Sequence, residues 1–259
     1  MTITKFISTT PELAQVLGGL NLSTTVPPHL YVDLEGVNLS RNGSISILTL
    51  YDLSSKTVFF IDEFVDRMSS FGTKPHFITL KKILESTEIP KVFFDARNDS
   101  DALFAHFGIK LQGVQDLQVM ELATRSGRNR ERVNGLAKCI QFGLMNILSP
   151  IQRSQIQTVK DRGSKLFAPE KGGSFHVFNM RPLDNILLHY CIQDVVHMPA
   201  LWHRYNLKLR IRFWKFVVEM ETNKRLEESR SAGYVPQGSH KSLGWTWEYL
   251  RHLERKWNG

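Results

Sequence analysis

The sequence predicts an α/β fold: a mixed β-sheet flanked by helices, followed by a helical extension at the C-terminus. Three observations lead there. Short β-rich runs crowd residues 29–61, strand-like and helix-like segments alternate over 78–123, and every regular segment from Val133 onward has helical spacing. At 259 residues, 42% hydrophobic and 22% charged, the chain has the balance of a folded globular protein with a substantial core.

Taken in order, Thr9, Pro11 and Glu12 open the first helix, with a capping hydroxyl, a first-turn proline and an acid near the positive helix end. That helix is expected to reach Gly18-Gly19. Pro27-Pro28 breaks the chain before His29-Leu30-Tyr31-Val32, an apolar run read as a strand that ends in Asp33-Leu34-Glu35. Residues 44–51 and 57–61, separated by a turn-like 52–56, complete a three-strand meander. A helix is expected over 78–86, and Pro90 leads into a buried strand over 91–94. Asn98, Asp99 and Ser100 place three good capping types at the start of the next helix, whose apolar stripe is Leu103, Phe104 and Phe107.

Residues 114–117 read as a short strand running into a helix that carries Met120, Leu122 and Ala123. Beyond the basic connector 125–132, helices are expected over 133–142 and 150–159, and a loop over 163–173 with Gly172-Gly173 at its tip. Pro182 reads as the first turn of a helix that continues through Leu201. A long charged helix over 207–230 and an amphipathic one carrying Trp245, Trp247, Leu250, Leu253 and Trp257 close the chain. The expected division is a main domain over residues 1–204 and a helical extension over 205–259.

Composition narrows the partners. Lys+Arg number 33 against 25 Asp+Glu, a formal net charge of +8 that favours a polyanion such as nucleic acid. Cys139 and Cys191 are the only cysteines, so neither a disulfide framework nor a thiolate zinc cluster is expected, and a reducing compartment is. No apolar run approaches the 18 or so residues of a membrane span, and residues 1–30 lack a signal-peptide core. An intracellular location, nuclear or cytoplasmic, is the expectation, with no membrane partner.

Three segments concentrate carboxylates. Asp33 and Glu35 are two apart on a strand, so both side chains project from one face, where like charges require a cation between them. Hard divalent ions such as Mg²⁺ or Mn²⁺ suit oxygen donors of this kind. Asp95, Asp99 and Asp101 follow a strand within seven residues, more than one helix cap needs. Tyr190 and Asp194, four apart on a helix, share a face beside the apolar stripe of Leu187, Cys191, Val195 and Met198.

Together, Val32 through Gly36, Lys91 through Leu103 and Tyr190 through Asp194 resemble the three motifs of the DEDD 3′–5′ exonucleases, in family order. These belong to the ribonuclease-H-like superfamily, and the Tyr-containing, ribonuclease D-like branch looks nearest. The resemblance implies a ribonuclease H-like sheet with two divalent ions, Mg²⁺ or Mn²⁺, held by Asp33, Glu35, Asp99 and Asp194. Asp33 would bridge the ions, Glu35 and Asp194 would complete one site, and Asp99 would hold the second ion. Tyr190 would orient the attacking water, and nucleoside 5′-monophosphates would leave from a 3′ end. Asp99 is chosen over Asp95 and Asp101 because it precedes Leu103 by four, the spacing used in the family. His189 satisfies the five-residue spacing of a sister subfamily. On a helix already running from Pro182, however, an offset of five turns it by about 140° from Asp194, against about 40° for Tyr190.

Candidate substrate contacts are Arg41, Arg97, Arg128 and Lys138. Arg41 and Asn42 fit a hairpin turn equally well, and Arg97 could instead pair with Asp99. Arg125, Arg128, Arg130 and Arg132 could track a phosphate backbone, Lys165 could join them, and Phe175, Phe178 or the C-terminal tryptophans could stack bases. The leading expectation is an exonuclease of single-stranded nucleic acid, with RNA favoured through the ribonuclease D resemblance. The alternatives are a catalytically inactive RNA-binding adaptor and a DNA 3′–5′ exonuclease acting in repair. The C-terminal helices are the candidate contact with a second copy or a protein partner.

Overall fold

The computed structural model describes residues 2–24, 26–62, 78–127 and 129–258. The meander is formed by β2 (Leu30–Glu35), β3 (Ile47–Asp52) and β4 (Thr57–Asp62), paired antiparallel with Asp33 opposite Thr49 and Glu35 opposite Ile47. Two short strands, β5 (Lys91–Phe93) and β6 (Val114–Asp116), extend the sheet in parallel from β2. An additional strand, β1 (Ile3–Ile7), lies parallel to β4, so the order is β1-β4-β3-β2-β5-β6. The mixed sheet matches expectation apart from β1. That strand sits at an edge with four of its five residues exposed, and so lacks the buried alternation by which strands are read.

Helices α1 (Thr10–Gly19), α2 (Leu80–Glu85) and α3 (Arg97–Phe107) cover one face. Their Leu13, Leu17, Leu80, Ile83 and Leu103 close on Leu30, Val32 and Leu34 of β2. The opposite face, carrying Tyr31, is covered by a larger layer: α4 (Leu117–Thr124), α5 (Leu136–Gly143), α6 (Pro150–Phe167), α7 (Asn185–Val196) and α8 (Met198–Asn206). By strand alternation Asp33 and Glu35 project on this second face, towards α7. The chain ends in α9 (Arg212–Arg230) and α10 (Trp247–Asn258), which bring Val217, Trp245, Leu250 and Leu253 into the same core. Among the described residues, no helix is long and apolar enough to cross a membrane.

Three local expectations are corrected. The stretch 163–173 is not all loop: α6 continues to Phe167, with Gly163 inside it and a buried face of Ile156, Lys160 and Gly163. The Asn98-Asp99-Ser100 cluster does not cap α3. The cap position is Ala96 without a side-chain bond, and Asp99 lies buried in the first turn. Pro182 does not start a helix. Asp184 caps α7 through the Ile186 amide at 2.7 Å, and the run to Leu201 breaks at His197, with Pro199 in the first turn of α8.

Candidate active site: an acidic cluster around a buried lysine

Asp33 and Glu35 stand at the end of a central strand, where the chain turns sharply. Gly36 makes this possible, because a Cβ there would lie 1.9 Å from the Ser44 carbonyl oxygen. On the helical side α7 packs across β2 and β3 and delivers Asp194 from its buried face. Carboxylate oxygens of Asp33, Glu35 and Asp194 all fall within 4.8 Å of one another, the reach of a single cation. Asp99 approaches Asp33 from the first turn of α3. It is 6% exposed, and its Oδ1 is buried without a hydrogen-bond partner.

Burial pushes the Asp33 carboxyl up to about 6, with the Lys160 ammonium pulling the other way. Burial, followed by the neighbouring Asp33 charge, holds Glu35 and Asp99 well above the usual carboxylate range. Such raised acids, together with an orphaned buried oxygen, are what a bound divalent cation would relieve. The donor set is all oxygen, so it fits a hard ion, and no cysteine or histidine belongs to the cluster.

Tyr190 sits one helical turn before Asp194, its ring wedged between elements. Gly163 of α6 touches it so closely that a Cβ would come within 2.6 Å of the ring, and Phe167 meets it edge-on at 5.1 Å. Burial and the nearby Glu35 and Asp33 charges keep its phenol protonated, well above the ordinary tyrosine range. His189 is exposed on the other side of α7.

Sequence reasoning missed one side chain. Lys160, on α6, is 8% exposed; its ammonium donates to Asp194 Oδ1 and lies 3.9 Å from the centre of the Tyr190 ring. Burial, opposed by Asp33 and Glu35, brings its pKa down to about 8. The available signal was a lysine at i+4 from Ile156 and i−3 from Gly163 on one helix face, hidden because the helix was expected to end at residue 159.

The candidate substrate arginines are engaged within the fold. Arg41 donates through its amide and Nε to Asp101 at 2.8 and 2.6 Å, and through Nη2 to the Ser229 and Ser231 carbonyls. Arg97 grips Asp95 at 2.5 and 2.7 Å rather than Asp99, and reaches the Lys241 carbonyl. Arg125 pairs with Glu121, Arg130 lies over Trp214, and Arg132 donates to Ser242. Lys138 and Lys165 are exposed, Phe178 is buried, and Arg128 lies outside the described residues.

The 3′–5′ exonuclease family model matches residues 5–210. The chain belongs to the 3′–5′ exonuclease family. Solved structures of similar fold include Trypanosoma brucei RNase D in complex with RNA U12, at TM-score 0.71 and 20% identity, covering 97% of this chain and 79% of that one. Brucella melitensis NrnC with bound Mg²⁺ is similar at TM-score 0.55 and 16% identity, covering 88% of this chain and 92% of its own. Escherichia coli RNase D, an exoribonuclease involved in structured RNA processing, is similar at TM-score 0.61 and 18% identity; the match spans 90% of this chain and 52% of that one. No curated protein matches at the level of sequence.

Proposed function

We propose that this protein is a metal-dependent 3′–5′ exoribonuclease whose catalytic centre is built by Asp33, Glu35, Asp99, Tyr190 and Asp194. The observation that carries the proposal is the meeting of three carboxylates within 4.8 Å, with the orphaned Asp99 oxygen buried beside them. Asp33, Glu35 and Asp194 would hold one divalent ion, Mg²⁺ or Mn²⁺; Asp99, with Asp33 shared, would hold a second. Two such ions supply a hydroxide nucleophile at neutral pH and charge stabilisation for the leaving 3′-oxygen. Tyr190, protonated and pinned by Gly163 and Phe167, would donate its hydroxyl to the attacking water and so fix the line of attack. The products would be nucleoside 5′-monophosphates.

RNA is favoured as the substrate because Trypanosoma brucei RNase D, similar in fold at TM-score 0.71, was solved with RNA bound, and the net charge of +8 suits any polyanion. Residues 1–204 would carry the nuclease residues, with 205–259 a helical extension that packs into the same core. Exposed Trp247 and Trp257 make α10 the candidate contact with a second copy or a protein partner.

The test uses single-stranded RNA and DNA of one sequence, labelled at either end, with Mg²⁺ or Mn²⁺. Stepwise loss from the 3′ end of RNA, abolished in Asp33→Ala and Asp194→Ala, is expected. Preference for the DNA strand would reassign the substrate. Binding of RNA without shortening under either ion would point instead to an adaptor.

A further inference from the structure

Lys160 lies outside the three acidic motifs, yet its charge acts directly on Asp33 and Glu35 at the centre. Its ammonium engages Oδ1 of Asp194, one of the three carboxylates within mutual reach, and rests on the Tyr190 ring. Cys191 of α7 and His197, the residue that ends α7, face the same ammonium together with Asp33, Glu35, Tyr190 and Asp194. Lys160 also lines a cavity of about 310 Å³ between α5 and α6, shared with Gln141, Arg153 and Gln157. A four-carbon stem therefore has somewhere to go if the ammonium lets go of the carboxylate.

We propose that Lys160 is a built-in competitor for Asp194: it supplies one positive charge to the acidic centre and must release that carboxylate, withdrawing towards the cavity, before Asp194 can ligate a divalent ion. Lys160 is thus a positioning residue that raises the divalent-ion concentration at which the site loads. The inference rests on the metal-centred reading of the cluster. By linkage, the part of the Lys160 contribution that is present in chelator and lost on loading is subtracted from ion affinity.

Calorimetric titration with Mn²⁺ alone, without nucleic acid, tests this in the full-length protein. Lys160→Met and Lys160→Gln are expected to bind Mn²⁺ at least tenfold more tightly than wild type and to melt at lower temperature in chelator, the deficit shrinking or reversing at saturating Mn²⁺. Lys160→Arg, which keeps the charge and can grip Asp194 with two donors, is expected to bind Mn²⁺ several-fold more weakly. It remains informative if the neutral variants do not fold. Unchanged or weaker affinity in folded Met and Gln variants, or tighter binding by the Arg variant, overturns the inference while leaving the metal site standing. A wild-type protein that binds no Mn²⁺ overturns the metal-centred reading, and this inference with it.

Discussion

At the scale of single residues, the site holds acids under conditions that favour their protonation. Asp33 binds its proton more tightly in the folded chain, near 6 rather than 3.8, so its ionisation costs stability as pH rises through that interval. Asparagine cannot ionise. In chelator, Asp33→Asn is therefore expected to be more stable than wild type at pH 7–8, by an amount of order 1 kcal/mol once the partial exposure of Asp33 is discounted. The advantage should fade towards pH 4, as urea midpoints across pH would reveal, and the same variant should be inactive. A second residue-scale prediction concerns Gly163. An added methyl meets the Tyr190 ring, so Gly163→Ala should lose about 1–3 kcal/mol through overpacking. Activity per folded molecule should fall as Tyr190 shifts, measurable by combining a thermal melt with a turnover assay. Strand and helix periods gave Asp33 and Glu35 one face and Asp194 a face shared with Tyr190, but it was the resemblance of three motifs in order that joined them into one expected site, and their carboxylates do meet. Lys160 was not, because Gly163, a packing glycine, looked like the start of a loop.

At the scale of elements, long-range polar ties hold α3 and its Asp99 in place. Arg41, in the connection after β2, clamps Asp101 of α3 and the last carbonyls of α9. Asn98, next to Asp99, accepts from Tyr234 at 2.7 Å and from Lys241, both in the segment between α9 and α10. Arg41→Ala would leave Asp101, 1% exposed, with much of its charge uncompensated. The expected loss is about 3 kcal/mol, read from denaturant unfolding. The meander, α1 with its Thr9–Glu12 capping box, and β5 were all readable from local pattern. The cap of α3 was not. Asn98, Asp99 and Ser100 are capping residue types that the tertiary structure instead draws inside the helix.

At the scale of the whole molecule, the two faces of the sheet carry separate cores, and α9 reaches both, with Leu226 on one side and Val217 on the other. Its Arg225 also pairs with buried Asp116 at 3.3 Å, and its Glu221 accepts from the Trp245 indole at 3.0 Å. A chain ending at residue 204 is therefore expected to lack a cooperative thermal transition and to aggregate, which circular dichroism and light scattering would register. The charged sequence of α9 gave little sign of this. Nine charged residues are interspersed with its seven apolar ones, and Asp116, the partner of Arg225, lies about a hundred residues away in the chain.

The cluster around Asp33 is expected to remove nucleotides one at a time from a 3′ end. Product analysis by chromatography, on RNA carrying a label at its 3′-terminal nucleotide, tests it directly. With Mg²⁺ or Mn²⁺ the first labelled product should be a nucleoside 5′-monophosphate, formed by wild type and absent with Asp194→Ala. Release of the label in an oligonucleotide, or equal release by the Asp194→Ala variant, would rule out 3′-exonucleolytic cleavage at this cluster.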